Sequence, residues 1–363
     1  FTGKSTMALQ SAYLKNPDGS PFKVLYLDPE SGSVDDYLPT LAENGVDMRN
    51  ILIAYTQSIT EVLEFIERAK NGEDFYIPDD DGNETDEVYL DSDGKPFRPD
   101  MIVVDGASVL NLTTKTSIVE FSKNRAKVKA AAAGLTGDEK FVKIEGAGME
   151  LKDYQTVNFK GQELILDLMG SGKHYIVTAR ETAEKITKEI NGKEVTVATG
   201  RKIPDGFKNM DYNAKTCIRM YRDEDDYTTV RAFVVKDRTG IHKAGDDIED
   251  PSLLDYQDLI DKTSGNREFV IKNTIHEAIK TEERKYAEEI GVEQSENENE
   301  PEENTNEAEV LRDKITGMIN SLSPVLKQKA KKAVADAGLP TAMRTVSDVK
   351  VLHQILKVVQ DIG

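Results

Sequence analysis

The chain has 363 residues, 38% of them apolar by type, enough for one sizeable hydrophobic core and a smaller module. No apolar run approaches the ~18 to 20 residues of a membrane span; a single cysteine, Cys217, excludes an internal disulfide framework and suits a reducing cytosol, and four scattered histidines make no zinc cluster. The net charge of −19 argues against a nucleic-acid binder only until its distribution is read: ten acids from Glu73 to Asp93 and seven in residues 291–307 face no Lys or Arg, and the remainder is nearly neutral.

The chain opens Phe1-Thr2-Gly3-Lys4-Ser5-Thr6. Against the pattern G-x-x-x-x-G-K-[ST], these residues supply the last glycine, the lysine and the hydroxyl. The pattern's first glycine, and the strand before it, are expected upstream of Phe1. In such a loop, backbone N–H groups point at phosphates. Lys4 reaches the β- and γ-phosphates of ATP and Ser5 holds Mg²⁺, with Thr2, Gly3 and Thr6 completing the cradle. The plain alternative is a chance Gly-Lys-Ser at a helix start. Residues 7–14 continue as a helix until Asn16-Pro17-Asp18-Gly19 stops it.

Residues 23–27 read as a buried strand ending at Asp28-Pro29-Glu30-Ser31-Gly32. Residues 37–44 are expected to be helical, 51–55 a second strand and 59–70 an amphipathic helix. Phe75-Tyr76-Ile77 and Val88-Tyr89-Leu90 flank an acidic turn over 79–87, a hairpin inserted in the core. Met101-Ile102-Val103-Val104-Asp105 is the next central strand, with a carboxylate at its end where a Walker B aspartate supports Mg²⁺; an acid that merely caps a turn is the ordinary reading. Strands alternating with helices predict a parallel sheet with ligands at its carboxyl edge.

Leu27-Asp28-Pro29-Glu30, the stretch over residues 44–52 and Ile102-Val103-Val104-Asp105 resemble, in order and spacing, the ATPase core of RecA-type recombinases and the phage-borne RecA-like ATPases of recombination and single-strand annealing. The resemblance is best over 1–110 and returns over 173–243. It implies that Glu30 activates the attacking water, and that Tyr37 takes the adenine-stacking place, although core packing is the favoured role for that tyrosine. Residues 111–135, with Lys123, Arg125, Lys127 and Lys129, and the helix expected over 160–168 bracket the place of the family's first DNA-contacting loop. A lysine-rich helical face is ordinarily just solvated.

The strand 174–180 ends where the family carries a γ-phosphate sensor; Thr178 or Arg180 stands there, and neither is the family's residue. Residues 185–197 read as a hairpin with an Asn-Gly turn, bearing Lys185, Lys188 and Lys193, with Arg201 and Lys202 beyond it. Residues 216–221 and 228–237 are two further strands. Val234-Val235-Lys236-Asp237-Arg238 resembles the family's V-V-K-x-K segment, which implies that Lys236 and Arg238 reach a neighbouring subunit's γ-phosphate. Two surface cations after a strand are the alternative.

Four regions are expected: a core over 1–262, a charged helix over 263–290, an acidic linker over 291–307 too polar to bury anything, and a basic three-helix module over 308–363. The fold class is α/β, a RecA-like P-loop NTPase core with a mostly parallel central sheet, an inserted acidic hairpin and a C-terminal α-helical module. The resemblance implies an ATPase acting on single-stranded DNA in the cytoplasm of a bacterial host, as a ring or filament of identical copies, with a DNA or protein partner for the module. A nucleotide-gated scaffold with negligible turnover is the first alternative, and a P-loop small-molecule kinase the second.

Overall fold

In the computed structural model, the described residues are 2–79, 84–190, 192–223, 225–263, 278–284, 349–360 and parts of 311–346. The acidic tip at 80–83, Asn191, most of the charged helix and the whole linker lie outside them. The chain divides into two compact units, Phe1–Glu73 with Leu90–His276, and Asp74–Tyr89 with Glu277–Gly363. The acidic hairpin, expected as an insertion in the core, therefore groups with the C-terminal residues.

The first unit holds a four-stranded, all-parallel sheet in the order β2-β1-β5-β6: β1 is Val24–Leu27, β2 Ile51–Ala54, β5 Met101–Asp105 and β6 His174–Thr178. These are the four apolar runs of the sequence. β1 and β5 are fully buried because both faces are covered, as parallel strands require. Val24, Tyr26, Met101 and Val103 face a cluster with Ala8, Leu9 and Ala12 from the first helical turns and Ile260 near the end of the unit. The alternate residues Leu25, Leu27, Ile102 and Val104 are equally buried on the other side.

The helices are α1 (Lys4–Leu9), α2 (Leu38–Glu43), α3 (Ile59–Asn71), α4 (Ala107–Ala132), α5 (Gly137–Glu145) and α6 (Leu151–Gly170). α3 shows how the sequence sets bounds: Ser58 caps it by accepting from Glu61 N–H, and Gly72, at φ 69°, ends it in the left-handed region. α6 starts nine residues before the expected 160. Its first turns are mostly exposed, Leu151 and Tyr154 included, and Glu150 and Asp153 close a capping box there.

After β6 the chain forms a long two-stranded ribbon, β7 (Arg180–Ile190) against β8 (Lys193–Asp205), far longer than the expected 185–197 hairpin. A short α7 (Met210–Asn213) leads to an antiparallel sheet in the order β11-β10-β9: β9 is Thr216–Arg222, β10 Val230–Asp237 and β11 Asp247–Glu249. α8 (Gln257–Thr263) closes the described part of this unit.

In the second unit, β3 (Tyr76–Pro78) pairs with β4 (Glu84–Val88). β4 begins inside the stretch expected to be turn, because Thr85 donates to the Ile77 carbonyl and holds the acidic segment in the ladder. Leu311, Ile315, Val334 and Val346 pack with Leu352, Ile355, Leu356 and Val359 of α9 (Val349–Gln360) in one apolar cluster. Among the described residues, no helix is long and apolar enough to cross a membrane.

Candidate active site

Register brings the polar residues of the sheet to one edge. Leu27 lies level with Val104, and Val104 with Val177, so Asp28, Asp105 and Thr178 emerge together at the carboxyl ends of β1, β5 and β6. Asp28 is wholly buried and builds the turn after β1. Its carboxylate accepts from the N–H groups of Glu30 (2.9 Å), Gly32 (2.9 Å) and Ser33 (3.0 Å). That turn carries Glu30 to the surface.

Asp105 is only 3% exposed and accepts three hydroxyls. Tyr26 (2.7 Å) and Ser33 (3.2 Å) donate to Oδ2, and Thr178 (2.5 Å) to Oδ1. Burial first, and then the adjacent Asp105 carboxylate, push the Tyr26 phenol far above its ordinary pKa, so it stays a donor. Tyr26 was expected only as a residue of the buried strand over 23–27, and Ser33 lies just beyond the expected turn at 28–32. The available signal was a tyrosine in the otherwise aliphatic run Val24-Leu25-Tyr26-Leu27, because a buried phenol needs a partner.

Gly106 follows Asp105 at φ 137°, and a β-carbon there would lie 3.0 Å from Glu30 Cγ. Glu30 thus rests against the end of β5. Its Oε1 accepts from Arg180 Nη2 at 3.0 Å, an ion pair between the turn after β1 and the first residue of the ribbon. Ser108, at the start of α4, accepts from Arg180 N–H at 2.8 Å and donates to the Asp205 carbonyl, so one hydroxyl holds both strands of the ribbon at its base.

The amino-terminal residues approach the same edge. Thr2 and Lys4 line a cleft of about 2000 Å³ together with Thr178 and Arg180. Lys4 Nζ donates to Thr2 Oγ1 at 3.3 Å. Gly3 has φ 81°, the left-handed conformation that favours glycine. Ser5 is half-buried and Thr6 exposed. Lys4, Asp105, Thr178, Arg180 and Glu30 are therefore linked around one sheet edge through the cleft, a hydrogen bond and an ion pair.

The other expected residues stand apart. Tyr37 is 41% exposed; Val34 and Leu41 take the inward positions of that segment, so the expected core role does not hold. Lys236 Nζ donates to the carbonyls of Asp211 (2.7 Å) and Tyr212 (2.9 Å) in its own chain, while Arg238 is exposed at the wall of the cleft. The basic run of α4 is largely committed within the helical layer: Arg125 pairs with Asp153 (2.5 Å), Lys123 with Glu145 (2.9 Å) and Lys129 with Glu150 (3.7 Å).

No protein-family model matches the chain, and no curated protein matches it.

Proposed function

We propose that the chain is a RecA-like P-loop ATPase that works on single-stranded DNA in phage-type recombination or replication, assembled as a ring or filament of copies. One observation carries the reading. Two acids distant in sequence, Glu30 and Asp105, pair with Arg180 and Thr178 at the end of β6, and Thr178 and Arg180 line the same cleft as the lysine of a Gly-Lys-Ser-Thr sequence.

In this reading Lys4 offsets the charge of the β- and γ-phosphates of ATP. Ser5 and Asp105 would hold Mg²⁺; Asp105 Oδ1 accepts one hydroxyl and keeps a second acceptor direction. When bound, the ion neutralises phosphate charge. Glu30 orients the attacking water and takes its proton. Arg180 leaves Glu30 for the γ-phosphate, which frees the base and shifts the root of the ribbon. Lys185, Lys188 and Lys193, exposed on that ribbon, supply phosphate contacts to DNA.

The test is ATP hydrolysis by the protein with and without single-stranded DNA. Glu30→Gln is expected to lower DNA-stimulated turnover by roughly 10² to 10⁴-fold while leaving nucleotide affinity within about threefold. A second reading, a nucleotide-gated scaffold with negligible turnover, is favoured by the Glu30–Arg180 pair, which occupies the base. It predicts nucleotide-dependent assembly that Glu30→Gln leaves unchanged and no hydrolysis in either protein.

A further inference from the structure

Residues 74–89 carry seven acids and no Lys or Arg. β3 and β4 form a sheet of their own, with no third strand beside them among the described residues. A two-stranded hairpin is marginal alone, and one so uniformly charged repels itself unless cations lie beside it. Tyr76, Ile77, Val88 and Tyr89 are nevertheless half-buried, while Asp79, Asp86 and Glu87 are exposed. The hairpin is covered on its apolar residues and presents its carboxylates.

The packing of the second unit shows where cations can come from. Glu73 and Leu90, on either side of the hairpin, belong to the first unit, yet Asp74–Tyr89 is compact with Glu277–Gly363. Residues 308–363 carry nine Lys and Arg against five acids. Leu352, Ile355, Leu356 and Val359 of α9 turn into the apolar cluster, which leaves Lys350 and Lys357, two turns apart, on the exposed side of the helix. Lys314, Lys329 and Lys332 are exposed too, beside the buried Ile315, Ala330 and Val334. The hairpin offers this surface more than bulk charge. Side chains two apart on a strand share a face about 6.8 Å apart, so Glu84 and Asp86 stand at close to the interval of successive phosphates in an extended single strand.

We propose that the acidic hairpin is an internal ligand of the basic C-terminal module, seated on its lysines in the place that the phosphates of single-stranded DNA take. The module is masked until a nucleic-acid strand displaces the hairpin. The inference goes beyond the ATPase reading: it concerns the second unit and needs no nucleotide.

Zero-length carbodiimide coupling, read by mass spectrometry without nucleotide, is expected to join carboxylates of 74–89 to lysines of 308–363 within one chain. A single-stranded oligonucleotide in excess should suppress those cross-links at least about fivefold at low salt, and less as salt rises. The variant Asp79→Asn with Asp86→Asn and Glu87→Gln removes three exposed charges of the hairpin. It is expected to bind the oligonucleotide at least about tenfold more tightly than the parent, with a steeper salt dependence. Glu43→Gln with Glu64→Gln and Glu67→Gln makes the same change in net charge at exposed positions of the first unit, and should stay within about threefold of the parent. Absence of cross-links within a chain overturns the proposal. So do cross-links that persist under the oligonucleotide, which leave the basic face to a protein partner, and an equal gain from the two triple variants, which makes the effect one of net charge. Should the hairpin variant not fold, the cross-links of the parent chain decide alone. Glu30→Gln leaves the cross-links unchanged, so a failed ATPase assay and a failed internal ligand are distinguishable.

Discussion

Gly106 adopts φ 137° and ψ 47°, a conformation that L side chains rarely take, and its missing β-carbon leaves the space against which Glu30 lies. Gly106→Ala is expected to cost about 1 to 3 kcal/mol in backbone strain, measured by urea unfolding. It should also push Glu30 Cγ outward and break the pair with Arg180. Because about 1 Å of misplacement can cost on the order of 10²-fold, DNA-stimulated turnover should fall by more than the stability loss explains at a temperature where the variant stays folded. Normal turnover in a folded Gly106→Ala protein would detach Glu30 from the chemistry. At this scale the sequence was half legible. Lys4, Glu30, Asp105 and Thr178 were readable from residue type at strand and helix ends. Arg180 was readable as a strand-end candidate, but its pairing with Glu30, and the hydroxyls that Tyr26 and Ser33 donate to Asp105, arise from contacts distant in sequence.

The elements follow local patterns where burial is two-sided and depart from them where it is one-sided. β1 and β5, buried on both faces, stand at uninterrupted apolar runs, whereas β2 and β6 are only partly buried, and β6 opens with His174 and Tyr175. The first turns of α6 and the length of the β7–β8 ribbon were not legible. Both are mostly solvent-facing, so hydrophobic spacing carries little information there. Within α6, Gly161 answers to packing and not to helix propensity. A β-carbon at Gly161 would stand 2.3 Å from Phe207, itself buried, so the ring lies directly on the helix backbone. In an exposed helix Gly→Ala gains about 1 kcal/mol. Here Gly161→Ala is expected to destabilise by about 1 to 3 kcal/mol net, because overpacking outweighs the propensity gain. Pairing it with Phe207→Ala should recover part of the alanine's own cost, seen as a coupling in a double-mutant cycle by urea unfolding. Additive effects would mean that the helix and the ring do not touch in solution.

Across the first unit, the two ends of the parallel sheet divide labour. The carboxyl edge gathers Asp28, Glu30, Asp105, Thr178 and Arg180, the groups of the proposed site. The amino edge is closed by a structural cluster. Lys23 Nζ lies 2.8 Å from the buried Asp91 Oδ2, whose other oxygen accepts the N–H groups of Asp93 (2.9 Å) and Lys95 (3.0 Å). Asp100 receives Lys23 N–H at 2.9 Å and Asn16 Nδ2 at 3.2 Å. Burial raises the Asp91 pKa, but Lys23 and the two backbone donors outweigh it and hold the carboxyl below the ordinary carboxylate range. Burial likewise lowers the Lys23 pKa, and the Asp91 carboxylate more than restores it. The depressed acid contributes stability that is present above its unfolded pKa of about 3.9 and is lost as pH falls through the lower folded value. The raised base contributes stability that is complete below about 10.4 and is lost as pH rises through its higher folded value. The pair therefore supports a plateau across neutral pH with an acid limb below about 4. Asp91→Asn is expected to cost about 2 kcal/mol at pH 7, since it leaves a partly buried ammonium with only the Asp100 and Asp93 carboxylates acting on it. The difference from the parent chain should shrink as pH falls below about 4 and Asp91 takes up its proton, first in the unfolded state and then in the folded one. Urea unfolding of the two proteins across that range isolates this one group from the other carboxylates. A difference that stays constant with pH would show that Asp91 acts through its backbone hydrogen bonds alone.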